Sequence, residues 1–102
     1  MFAGGFGDGK EADENVKLIA KGMKEATEKE LGKTFKKFDA VLYATQVVNG
    51  TNYIIKVHIG HRRYIHIKVH VPLAFRNQPN ELMEVQEEKT FYDPLVPPRK
   101  DE

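Results

Sequence analysis

Between residues 51 and 71 the chain alternates apolar and polar positions, and no other feature constrains its fold as tightly. In 51–59 the odd positions Tyr53, Ile55, Val57 and Ile59 are apolar, and in 63–71 so are Ile65, Ile67, Val69 and Val71. A period of two puts these side chains on one face of an extended segment, so each stretch reads as a half-buried strand. Gly60, His61 and Arg62 supply the turn between them. Pairing centred on residue 61 sets Val57 beside Ile65, Ile55 beside Ile67 and Tyr53 beside Val69, which brings apolar against apolar along the whole hairpin.

The flanking segments extend this core. Residues 38–48 read as a further strand ending at Asn49-Gly50, a strong hairpin signal because both residues tolerate positive φ. A loop over 72–80 leads to a fourth strand from 81 to about 91. Upstream, Val16, Ile19, Ala20, Met23, Ala26 and Leu31 recur with helical spacing over 13–35, with charges on the opposite side and Asp13 placed as N-cap. The charge run is a solvated face. Gly22 weakens the helix interior by about 1 kcal/mol relative to alanine, which points to close packing against a sheet. The expected fold class is α+β, with one long helix packed on a four- to five-stranded antiparallel sheet.

Both ends differ in composition from this body. Gly4, Gly5, Gly7 and Gly9 interleave with Phe2, Ala3 and Phe6, a stretch that cannot hold regular structure alone. Two phenylalanines there nonetheless form an apolar element of the kind that asks for a partner. The C-terminal stretch carries Pro94, Pro97 and Pro98 before Arg99; it fits a PxxP ligand and reads more simply as an extended tail. The expected division is a flexible arm over 1–10, a folded domain over 11–93 and an extended proline-rich tail over 94–102.

Composition then removes whole classes of function. The 102 residues include no cysteine, serine or tryptophan, which excludes disulfides, thiolate metal sites and serine or cysteine nucleophiles. Residues 40–80 contain no acid, so paired carboxylates for acid–base work are missing from the central sheet, and the glycine-rich stretch follows no strand that would make it a phosphate loop. Catalysis is not expected, nor any cofactor. The start of the chain has no leader-like pattern and no segment has the roughly 20 apolar residues a bilayer span needs, so the expectation is a cytoplasmic protein with no membrane partner.

The acid-free stretch carries Lys56, Arg62, Arg63, Lys68 and Arg76 although the whole chain has a formal net charge of only +1. Its histidines, His58, His61, His66 and His70, suggest metal binding at first sight. The inferred register places His58 by Tyr64, His66 by Lys56 and His70 by Asn52. No two imidazoles are opposite one another, lysines lie among them and no carboxylate is near, so no metal site is expected and the sheet histidines read as solvent-facing. That face lacks an RNP-type aromatic motif, and nucleic acid is not the expected partner.

What remains are apolar residues in turns. Phe2 and Ala3 precede Gly4, Val47 and Val48 precede Asn49-Gly50, and Leu73, Ala74 and Phe75 sit in the later loop. In an antiparallel meander these two turns project from the same end of the sheet, and an arm leading into the helix can reach that end too. Together they would form an apolar edge.

The run Gln46-Val47-Val48-Asn49-Gly50, followed by Thr51-Asn52-Tyr53 and Ile55-Lys56-Val57, resembles the first-hairpin motif of the cystatins, Gln-Val-Val-Ala-Gly, with Asn49 in place of alanine. The Gly4-Gly5 pair near the start, the helix between, and Leu73 where the second hairpin falls extend the resemblance from about 4 to 95. Lacking cysteine, the chain is similar to the stefins, the single-domain intracellular type. The resemblance implies a reversible, tight-binding inhibitor of papain-like cysteine proteases. By position, Phe2, Ala3 and Gly4 would enter the non-primed subsites, Gln46, Val47, Val48, Asn49 and Gly50 would cover the catalytic cysteine, and Leu73, Ala74 and Phe75 would touch the primed side. It also implies a mostly monomeric protein able to exchange its helix and first strand between two copies. Two departures keep an alternative open. Asn49 creates an Asn-Gly-Thr glycosylation sequon, and Ala74-Phe75 stands where stefins typically carry proline after leucine. With either change the chain could be a cystatin-fold binding module, for protein or single-stranded nucleic acid, without inhibitory activity.

Overall fold

The alternating segment forms the middle of a five-stranded antiparallel sheet in a computed structural model that describes residues 5–96. The strands are β1 (Lys10–Glu11), β2 (Asp39–Val48), β3 (Gly50–Gly60), β4 (Arg63–Val71) and β5 (Glu81–Lys89), hydrogen-bonded in chain order. Two helices, α1 (Glu14–Gly22) and α2 (Lys24–Leu31), lie between β1 and β2. The expected register holds: Val57 pairs with Ile65, Ile55 with Ile67 and Tyr53 with Val69. The fourth long strand ends at Lys89, short of the expected 91, and β1 is a short edge strand on β2.

The odd-numbered face is the main core. Ile55, Val57, Ile65, Ile67 and Val69 are buried against Val16, Ile19 and Ala20 of α1 and against Phe35. Each such side chain contributes roughly 1.5–3 kcal/mol of burial. Asp13 caps α1 by accepting the Val16 N–H at 2.9 Å, satisfying one of the donors a helix start leaves free. At the other end Gly32 takes φ +68, and the Lys33 N–H returns to the Glu28 carbonyl. This left-handed cap ends the helix at Leu31, short of the expected 35. The Glu28 carboxylate then accepts the Phe35 N–H and leads that ring into the core.

Three expectations about the helix are corrected. It is not one uninterrupted helix: at Met23 the N–H bonds the Ala20 carbonyl, a local tightening that separates α1 from α2. Gly22 does not mark a close approach to the sheet. A Cβ built there meets nothing within 4 Å, and the residue is exposed beside the break. Thr27, not Ala26, takes the buried position after Met23; its hydroxyl donates to the Met23 carbonyl at 2.8 Å and so loses no hydrogen bond on burial.

The even-numbered face is also covered, which overturns the reading of its histidines as uniformly solvent-facing. His66 is 1% exposed and Lys56 likewise. Residues 91–96 cross this face, with Leu95 packed against Ala44 and Ile54, and Phe6 and Leu42 beside them. The Lys56 ammonium donates to the carbonyls of Phe91 and Asp93, so the buried charge is met by carbonyl oxygens. Both ring nitrogens of His66 lack a partner among the described residues. Burial, and then the nearby Lys56 and Lys89 charges, lower its pKa to about 4, so the ring is neutral at physiological pH. Among the described residues no helix is long and apolar enough to cross a membrane.

Candidate functional site

The β2–β3 hairpin is built from a short-range backbone requirement. Gly50 has φ +111, and a Cβ there would come within 2.6 Å of the Val71 carbonyl oxygen and 3.2 Å of the Pro72 Cα. Only glycine accepts that conformation and that approach together. Asn49, expected to share the positive φ, does not; Gly50 alone makes the left-handed step. Because Gly50 sits against Val71 and Pro72, the first hairpin and the loop after β4 touch. The two turns do lie at one end of the sheet.

A polar brace holds this end together. Asn52 on β3 donates its amide to the Gln46 Oε1 on β2 at 2.9 Å, and its Oδ1 lies 2.7 Å from His70 Nδ1 on β4. The link spans three strands beneath the tip. Sequence reading left His70 without a role, and the strand register, which sets it opposite Asn52, was the signal that could have supplied one.

Above the brace the tip is apolar and open. Val47 is 77% exposed and Val48 40%, and Asn49 is exposed between Val48 and the buried Gly50. In the neighbouring loop Leu73 is half-buried, and Ala74 opens a short 3-10 turn (Ala74–Arg76). Phe75 is 79% exposed, with the Arg76 guanidinium 5.7 Å from its ring centroid. Asn77 closes the turn in the left-handed region at φ +52.

Phe2, Ala3 and Gly4 lie outside the described residues. The chain that follows them is tied to β2. Lys10 pairs with Tyr43, and the Gly7 N–H donates to the Thr45 carbonyl at 2.9 Å, so the segment runs back along β2 toward the hairpin tip. Phe6 anchors it, packed beside Ala44 and Leu95 with the Lys68 ammonium 5.6 Å from its ring centroid. The sequence marked Phe6 as an apolar residue in need of a partner; the partner is the protein's own even-numbered face. Through the approach of Gly50 to Val71 and Pro72, residues 46–50 and the loop that carries 73–75 share one end of the sheet.

Similarity to known proteins bears on this arrangement. The pattern of the Cystatin domain family matches residues 4–91. The chain belongs to the cystatin family. It is 43% identical over 96 residues to Cystatin-A1 of Sus scrofa, covering 94% of this chain and 93% of that protein. It is 41% identical over the same length to Leukocyte cysteine proteinase inhibitor 1 of Sus scrofa, with the same coverage. Stefin-C of Bos taurus is 37% identical over 93 residues, covering 91% of this chain and 92% of that protein. With relatives of this kind along nearly its whole length and no cysteine, this cystatin is of the stefin type.

Proposed function

We propose that this stefin-type cystatin is a reversible, tight-binding inhibitor of papain-like cysteine proteases that blocks the active-site cleft with its N-terminal arm and two loops. The observation that carries the reading is the pair of exposed valines, Val47 and Val48, on a hairpin braced by Gln46, Asn52 and His70. Exposed valines at a tip contribute nothing to the fold that would explain them. Buried in a cleft they gain roughly 1.5–3 kcal/mol each, and the brace means little conformational entropy is lost on binding. Gly50 keeps the turn narrow enough to enter. Leu73, Ala74 and Phe75 extend the apolar edge to the primed side, and the arm carrying Phe2, Ala3 and Gly4 extends it to the non-primed side.

Inhibition of this kind needs no chemistry from the inhibitor. A wedge that seats Gln46 to Gly50 over the catalytic cysteine presents no scissile carbonyl to it, so the protein blocks without being cleaved. This fits a chain whose residues 40–80 contain no acid and which has no serine or cysteine. We also read it as cytoplasmic and mainly monomeric, with helix-and-strand exchange through the first hairpin as a minor dimer. Titrating papain with the protein, using a fluorogenic peptide as readout, is expected to give near-stoichiometric loss of activity. Unchanged rates at micromolar protein would overturn the proposal. Deleting residues 1–5 is expected to speed dissociation while leaving association nearly unchanged.

A further inference from the structure

We infer that Asn49 is a self-modification site, at which spontaneous deamidation through the Gly50 amide places a negative charge on the inhibitory tip and limits the working life of the inhibitor. The site itself follows from the chain's own chemistry; its consequence for inhibition rests on the proposed function.

Of the asparagines, only Asn49 is followed by glycine. Gly50 is buried against Val71 and Pro72, but it has no side chain of its own to crowd the attack of its backbone nitrogen on the neighbouring Asn49 side chain. Asn49 is exposed, at the hairpin apex between β2 and β3, where water has free access. The structure separates it from its neighbour Asn52, which is 8% exposed, holds Gln46 and His70 through its amide, and precedes the bulky Tyr53. Asn15 is fixed within α1 and precedes the β-branched Val16.

The reaction needs only water. The Gly50 backbone nitrogen gives up its proton and attacks the Asn49 side-chain carbonyl carbon. A carbon–nitrogen bond forms, the bond to the side-chain nitrogen breaks, and ammonia leaves with that proton, closing a cyclic imide. Water then opens either imide carbonyl, giving aspartate or isoaspartate, with no oxidation or reduction. Each product disturbs the tip. Aspartate puts the first carboxylate into the acid-free segment 40–80, beside Val47 and Val48, and a charge carried into an apolar cleft is costly unless paired. Isoaspartate also adds a backbone carbon between Val48 and Gly50, which face each other across the hairpin.

The test is to age the full-length protein at physiological temperature and mildly alkaline pH. Peptide mass analysis localises any amide-to-acid conversion, isoaspartyl methyltransferase labelling reports isoaspartate, and samples are assayed against papain in parallel. Asn49→Gln, whose longer side chain would need a larger and slower-forming ring, and Asn49→Asp, one of the products, accompany the parent. Conversion is expected at Asn49 and not at Asn52. The inhibition constant should rise roughly ten- to a hundredfold on the same time course, Asn49→Gln should hold steady, and Asn49→Asp should start at the weakened value. No conversion at Asn49 over a period in which a short Val-Val-Asn-Gly-Thr peptide converts fully would overturn the site. Conversion with undiminished inhibition would overturn its consequence. Fresh protein that leaves papain untouched would instead count against the inhibitor reading, while the mass record still decides the modification.

Discussion

Val48 and Val57 lie nine positions apart on the two arms of one hairpin, and the protein uses them in opposite ways. Val57 is 0% exposed, faces α1 and pairs with Ile65. Val48 is 40% exposed at the tip and pairs only with Gly50. The same side chain thus stabilises the fold at one end of the β2–β3 hairpin and stands ready for a partner at the other. The lesson is that apolar content does not say which job a residue has; its position relative to the brace of Gln46, Asn52 and His70 does. Below that brace, substitutions should change stability, and above it they should change binding.

The largest expected effect breaks the tip without touching the core. Val48→Asp should weaken papain binding by several kcal/mol, on the order of 4, because a carboxylate would enter an apolar cleft unpaired. Its thermal midpoint should stay near that of the parent, and a large drop in the midpoint would erase the distinction between tip and core. The converse variant is Ile55→Ala, which leaves a void among the residues packed on α1 and should cost about 3 kcal/mol in denaturant unfolding. Folded molecules of that variant should inhibit papain like the parent.

The covered even face supplies a comparison of its own. In the unfolded chain His66 takes up a proton near 6.5, whereas in the folded protein burial, Lys56 and Lys89 delay this until about 4. The unfolded state therefore binds more protons between these values. Stability should fall by at most about 3 kcal/mol as the pH drops from about 6.5 to 4, with no further loss from this group below that. His66→Leu removes the titration and the unpartnered nitrogens, so it should flatten that part of the pH–stability curve and leave the protein at least as stable. A slope unchanged from the parent would count against His66 as its source. The smallest effect expected is from Gly22→Ala. With open space around Gly22, alanine should stabilise by about 0.5–1 kcal/mol through helix propensity, measurable as a small rise in the thermal midpoint.

How far the sequence disclosed this arrangement depends on what carries each feature. The β3–β4 register was legible because it is written in side-chain alternation, and Asp13 was legible as a cap because capping is local chemistry. The shared end of the two turns followed from the meander. The short strand β1 was not legible: Lys10 and Glu11 join the sheet through backbone bonds that no side-chain pattern encodes. Nor was the cover over the even face, since Lys56 and His66 look like solvent-facing residues until residues 91–96 are seen to cross them. The break at Met23 is a backbone adjustment, and Gly22 beside it was misread as a packing glycine because a glycine in a helix has more than one cause. At the candidate site, Gln46 to Gly50 stood out by motif and Leu73 to Phe75 as apolar residues in a turn, while the seat of Phe6 beside Ala44 and Leu95 and the His70 brace emerged only from tertiary contacts.

On this reading protease binding belongs to one end of the molecule, made of the first hairpin, the loop after β4 and the N-terminal arm. Amide hydrogen exchange with and without papain tests it most directly. Papain should slow exchange at residues 46–50, at 73–75 and along the N-terminal arm, while the solvent face of α1 and α2 and the segment 91–96 exchange as in the free protein. Protection on the helices or on 91–96, with the hairpin tip unchanged, would contradict it.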